Sequence, residues 1–170
     1  MSQEHLTTHL RDPIGCMVLT VSDSRNEETD KSGQIMIEML KAQGNELVHY
    51  NIVADDKQEI QKWVKAGKKH PEVEVILLNG GTGIAGRDVT IESLSELLEK
   101  EIPGFGELFR MLSYNEDIGS AAILSRAMAG SIANTAVFST PGSSGAVKLA
   151  MERLILPELP HVVHELKKDQ

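Results

Sequence analysis

A three-layer α/β/α sandwich around a mostly parallel sheet is the fold this sequence predicts. Three observations point to it. Short apolar, β-rich runs alternate with segments of helical period. Those strand runs are near-continuously apolar, as for strands covered on both faces. Clusters of polar residues follow directly where the strand runs end, which is where open α/β sheets bind ligands.

Residues 1–12 read as a polar arm, and 13–170 as one domain. "IGCMVLTV" (14–21) is the first strand, buried on both faces. "SDSRNEETDKSGQ" is a polar loop in which Asp30 or Ser32 can cap the next helix. "QIMIEMLKAQG" is helical, with Ile35, Met36, Met39 and Leu40 on one face and Gly44 as its stop. "ELVHYNIV" (46–53) is the second strand. "ADDKQEIQKWVKAGKKH" begins acidic and ends basic, as a helix dipole prefers, with Ile60, Trp63 and Val64 as its apolar stripe. "VEVILLN" (73–79) is the third strand.

A glycine-rich loop follows, and then "TIESLSELLEKE", a helix with Thr90 as N-cap. "PGFGELFRMLSYNE" predicts another, with Pro103 near its start. "IGSAAILSRAMAG" reads as helix and then turn. "TAVFSTPG" (135–142) is the fourth strong strand, with short "SIA" beside it. The rest, from "SSGAVKLAMERL" on, closes the chain as one or two helices.

The 170 residues suffice for a sizeable core, which must rest on aliphatic side chains because aromatics are only 4%. A net charge of −8 argues against nucleic acid or an anionic membrane as the main partner. No run reaches membrane-spanning length, and the first residues lack the apolar core of a signal peptide. The single cysteine, Cys16, lies in an apolar strand and reads as a buried thiol. A cytoplasmic location is expected.

In "LLNGGTGIAGRDVT" (77–90), four glycines fall within seven residues, between a strand and a helix start. "GTGIAG" matches the dinucleotide pattern G-x-G-x-x-G, but no strand follows the next helix, so NAD or FAD binding is not the reading. A Walker loop fails too, since Arg87 and Asp88 stand where Lys-Ser/Thr would be. Bare glycines let consecutive N–H groups approach an anion, and the helix start adds partial positive charge. Phosphate-bearing ligands suit such a loop. A carboxylate there, Asp88, needs a counter-charge; Mg²⁺ shared with Asp55 and phosphate oxygens supplies one. One of Asp55 and Asp56 is expected to cap the following helix instead. Arg87, Arg110 and Arg126 are candidate clamps for phosphate or carboxylate. "STPGSSG" (139–145) offers a second anion loop, in which Ser143 or Ser144 also serves as N-cap. His161 and His164 share a helical face without a third ligand and read as solvated.

Seven segments, "TVSDSR", "DKSGQ", "VADD", "NGGTGIAGRDVT", "PGFGELFR", "LSR" and "STPGS", occur in the order found in the bacterial molybdenum cofactor proteins MoaB and MogA. The sequence resembles that family over nearly its whole length, and "FRMLSYNEDIGSAAILSRA" is most like the MoaB branch. The resemblance implies a homo-oligomer, trimer or hexamer, and Mg²⁺-dependent transfer of an adenylyl group from ATP to molybdopterin, with release of pyrophosphate. It also implies hand-over to the molybdenum-insertion protein of the pathway. On the matching positions it gives Asp55 and Asp88 as catalytic and metal-binding. Substrate is given to Ser22, Asp23, Gly80, Gly81, Thr82, Gly83, Arg87, Ser139, Pro141, Gly142 and Ser143. Asn79 stands where the family usually has Thr; either side chain can hydrogen-bond. The same loops also fit a pterin carrier without catalysis, or a nucleotide pyrophosphatase.

Overall fold

The structure, a computed structural model, describes residues 12–170. The expected arm, residues 1–12, lies outside that range but for Asp12. A six-stranded sheet has the order β2-β1-β3-β6-β5-β4. Its strands are β1 (Gly15–Val21), β2 (Glu46–Val53), β3 (Val75–Asn79), β4 (Lys100–Glu101), β5 (Met128–Ile132) and β6 (Thr135–Thr140). β1 pairs in parallel with β2 and β3, and β3 in parallel with β6. β5 runs antiparallel to β6, and β4 antiparallel to β5.

Helices cover both faces, and alternation along the strands decides which side chain meets which layer. Cys16 and Val18 of β1 join one core with Met36 and Leu40 of α1 (Lys31–Ala42) and Phe109 of α4 (Pro103–Glu116). Val147 of α5 (Ser144–Ala150) and Leu159 of α6 (Leu156–Lys167) complete it. Met17 and Leu19 face the other core, with Ile60 and Val64 of α2 (Lys57–Lys69) and Leu94 of α3 (Thr90–Ser95). One turn of π-helix, Met151–Ile155, links α5 to α6.

Two segments depart from the sequence expectation. The helix expected over 90–101 stops at Ser95, and Lys100–Glu101 instead pair with Ser131 and Gly130 at the sheet edge. "IGSAAILSRAMAG" gives a 3₁₀ helix over Gly119–Leu124 and then strand β5. β5 turns into β6 through Ala133 and Asn134, and Ala133 takes a φ of 50°. Thr90 is the first helical residue rather than the cap, which is Val89.

Candidate functional site

The carboxyl ends of the parallel strands β1, β2, β3 and β6 open into one cleft of about 450 Å³. Ser22 and Asp23 reach it from β1 and Asp55 from β2. Gly80 to Gly83, Arg87 and Asp88 reach it from β3, and Pro141 to Ser143 from β6. The four polar clusters predicted at strand ends therefore meet.

The glycine loop is held by its own backbone. Gly80 N–H donates to Thr140 O at 3.0 Å, and Thr90 N–H to Gly81 O at 3.0 Å. The Thr90 hydroxyl donates to Gly80 O at 2.9 Å, so this residue closes the loop instead of capping the helix. Gly80 and Gly81 have φ of 96° and 66°, a region that side chains resist. A Cβ on Gly81 would lie 2.3 Å from Thr90 Oγ1 and 3.0 Å from Asp55 Oδ1; one on Gly83 would lie 2.5 Å from Asp88 Oδ2. The absence of side chains at these two positions is what lets Asp55 and Asp88 sit against the loop. The N–H groups of Gly81, Thr82, Gly83 and Ile84 donate to no protein acceptor among the described residues. Consecutive unpaired N–H groups are the chemistry of an anion cradle.

The two carboxylates differ in their support. Asp55 N–H donates to Asp23 Oδ1 at 2.9 Å, which fixes the bend after β2. Its neighbour Asp56 caps α2 by accepting from Glu59 N–H at 2.9 Å, leaving Asp55 for the cleft. Asp88 Oδ2 accepts from Ala85 N–H at 3.1 Å. Loss of water, then the charge on Asp23 and, less strongly, that on Asp88, raise the Asp55 pKa above the usual carboxylate value, partly opposed by the Asp23 backbone N–H and then by Arg87. Among the described residues no group of three or more His, Cys, Asp or Glu side chains could hold a metal. Two carboxylates beside a phosphate cradle fit a hard cation such as Mg²⁺ that keeps phosphate oxygens and water as its remaining ligands.

The arginines divide differently from the expectation. Arg87 lines the cleft. Arg126 is turned to the loop itself: its Nε donates to Thr82 O at 2.9 Å and its NH2 to Gly83 O at 2.6 Å, while NH1 pairs with Glu92. Arg110 does not line the cleft, and its guanidinium lies beside Gly106 of its own helix. Arg25 is the residue that sequence reasoning missed. It lines the cleft, donates from NH1 to Ser32 Oγ at 2.5 Å and from NH2 to Gly142 O at 3.0 Å, and lies 3.6 Å from Asp30. Its signal was an arginine in the loop leaving the first strand.

Below Arg25 a polar network is buried. Asp30 accepts from Gly33 N–H at 3.0 Å as the cap of α1, and from the Tyr50 hydroxyl at 2.5 Å. Asn79 donates to Thr20 Oγ1 and accepts from Ser32 Oγ, both at 2.9 Å. Hydrogen bonding to both neighbours is what this position contributes, consistent with Asn in place of the family's Thr. Ser143 lines the cleft and caps α5, accepting from Ala146 N–H at 3.1 Å. Ser139 does not line the cleft. It is fully buried within β6, and its hydroxyl has no hydrogen-bond partner among the described residues.

Residues 17–161 match a family model described as "Probable molybdopterin binding domain". The chain belongs to the molybdenum cofactor biosynthesis family. It is 60% identical to the molybdenum cofactor biosynthesis protein B of Bacillus subtilis, over 99% of this chain and 98% of that one. A crystal structure of a molybdenum cofactor biosynthesis protein B, 59% identical, has a TM-score of 0.91 over 92% of this chain and 98% of the other. The tungsten cofactor synthesizing protein MoaB of Pyrococcus furiosus, 41% identical, has a TM-score of 0.82 over 92% and 98%. The α/β fold and the MoaB-like character read from the sequence are thus shown.

Outside the cleft of this family member the other candidates are structural. Cys16 is fully buried, and burial, with the Glu74 charge second, pushes its thiol pKa up to about 12. His161 lies between Glu158 and Glu165 on α6, at 3.1 and 4.0 Å. Among the described residues, no helix is long and apolar enough to cross a membrane.

Proposed function

We propose that this protein transfers an adenylyl group from ATP to molybdopterin, within molybdenum cofactor biosynthesis in the cytoplasm. The observation that carries the reading is Asp55 and Asp88 flanking one glycine loop whose N–H groups make no protein hydrogen bond. A carrier has use for the cradle but not for two carboxylates against it, one of them with a raised pKa.

In this reaction the terminal phosphate oxygen of molybdopterin attacks the α-phosphorus of ATP. One P–O bond forms, the bond to the β-phosphate oxygen breaks, and pyrophosphate leaves with the electron pair. A phosphate is already nucleophilic, so no serine, cysteine or strong base is needed, in keeping with an inert Cys16. Positioning and charge stabilisation carry most of such a transfer. The N–H groups of residues 81–84 bind phosphate oxygens, and Arg87 adds a cation at the cleft wall. Ser143 and the loop from Pro141 receive the second anionic group. Asp55 and Asp88 would hold Mg²⁺, which when bound neutralises phosphate charge.

The test is formation of adenylylated pterin and pyrophosphate from ATP, with and without Mg²⁺, by the wild type, Asp55→Asn and Asp88→Asn. Mg²⁺-dependent product in the wild type and its loss in both variants is the expected result. Tight pterin binding with no product means a carrier. AMP formed without pterin means a nucleotide pyrophosphatase.

A further inference from the structure

We infer that Arg126 is the positioning residue of the glycine loop: it holds the carbonyls of Thr82 and Gly83 so that the following N–H groups face an anion. The inference rests on the proposed nucleotide-binding role of that loop. Gly83 lines the cleft, as do Leu124 and Ser125, whereas the Arg126 guanidinium is not part of that lining. Two of its nitrogens take the two consecutive carbonyls, at 2.9 and 2.6 Å. All peptide bonds among the described residues are trans. In a trans peptide the N–H points opposite to its C=O. Fixing Thr82 O and Gly83 O on Arg126 therefore turns the N–H groups of Gly83 and Ile84 away from the guanidinium.

The loop needs such a fixture because of its own composition. Beside a glycine, a peptide plane rotates at little steric cost. A rotated Thr82–Gly83 peptide would present a carbonyl oxygen to the phosphate and repel it. No other side chain among the described residues donates to either carbonyl. Glu92 of α3 in turn holds the guanidinium through both of its oxygens, which fixes the fork in place. That contact, first among its causes, lowers the Glu92 pKa. A lysine has one point charge and cannot span two carbonyls and a carboxylate in the manner of a planar fork.

The experiment measures Mg-ATP affinity by titration calorimetry for wild type, Arg126→Met and Arg126→Lys. Melting temperature and amide hydrogen exchange over residues 81–84 are measured alongside. The expected result is binding about tenfold to a hundredfold weaker in Arg126→Met. Its melting temperature should stay close to wild type, and ATP-dependent protection of the 81–84 amides should be lost. Arg126→Lys should restore less than half of the lost binding free energy. In turnover, the KM for ATP should rise more than kcat falls. Wild-type affinity and protection in folded Arg126→Met would overturn the inference and leave the proposed function standing. Full rescue by lysine would overturn it as well, since charge alone would then suffice. If Arg126→Met does not fold, Arg126→Lys keeps charge and stem and decides alone: weakened binding supports the inference, unchanged binding overturns it. A wild type that neither binds Mg-ATP nor protects residues 81–84 overturns both this inference and the proposed function.

Discussion

Asp55 holds a negative charge where lost hydration and two other carboxylates oppose it. Its folded pKa is raised, so its favourable contribution to folding is complete below the ordinary carboxylate pKa and is lost as pH rises through the raised value. Asp55→Asn abolishes that loss. The variant should melt higher than wild type at neutral pH, with a difference that vanishes in acid and grows across the window between ordinary and raised pKa. Calorimetric melts from acid to neutral pH check this, and a variant no more stable than wild type at pH 7 would count against it. Stabilisation with loss of activity is the usual mark of a site residue under strain. Asp88→Asn should lower adenylyl transfer by about two orders of magnitude, the effect of losing a few kcal/mol of charge stabilisation. Pterin binding should change little, because only the charge is removed; pterin affinity and turnover measured on the same sample separate the two effects.

At the scale of elements, the cleft loops are locked by hydrogen bonds and close contacts to one another and to the elements behind them. Gly81→Val would drive a Cβ to 2.3 Å from Thr90 Oγ1 at a φ of 66°. Mg-ATP affinity should collapse while the far-UV circular dichroism stays that of wild type. Asp30→Ala removes the cap of α1 and leaves Arg25 and Tyr50 without their buried partner. Denaturant melts should show a loss of about 3 kcal/mol, as for a broken buried ion pair. The strands and glycine loops were legible in the sequence because their causes are local: apolar runs of strand length, and positions that only glycine fills. β5 was not. Alanine and leucine in "SAAILSRAMA" favour a helix, and the two-residue turn into β6 uses Ala133 at positive φ, where Asn-Gly would have announced a hairpin. The roles of Arg25 and Arg126 were hidden for another reason. A guanidinium reaches across several ångströms, and which loop it meets depends on strand order, here residues 117 and 44 positions apart. Ser139 shows the converse, since a serine beside an anion loop can face the interior of the sheet.

For the whole molecule, α4 presents Leu108, Met111 and Tyr114 to solvent, 47%, 51% and 60% exposed, at a spacing that lines one side of the helix. Ile118 and Ile123 extend the apolar surface beyond it. The trimer or hexamer implied by the family resemblance would give that surface a second copy of this chain as its cover. Met111→Asp should then sediment as a smaller species than the wild type; a wild-type monomer at micromolar concentration would overturn the oligomer that the resemblance implies. The strand order has a consequence in time as well as in space. β6 lies between β3 and β5 in the sheet, yet it is the last strand in the chain. β3 finds its partner in β6 across an excursion from Val75 to Ala136. Closing so long an excursion is entropically costly, and parallel pairings of this kind fold slowly. During synthesis β1, β2 and β3 emerge long before the strand that completes their central pairing. Until then the apolar edge of β3 is open to other chains, and the cleft lacks the wall that begins at Pro141. A ribosome stalled before Thr135 should therefore hold a protease-sensitive, aggregation-prone chain, whereas the released 170-residue chain has every strand available to close the sheet.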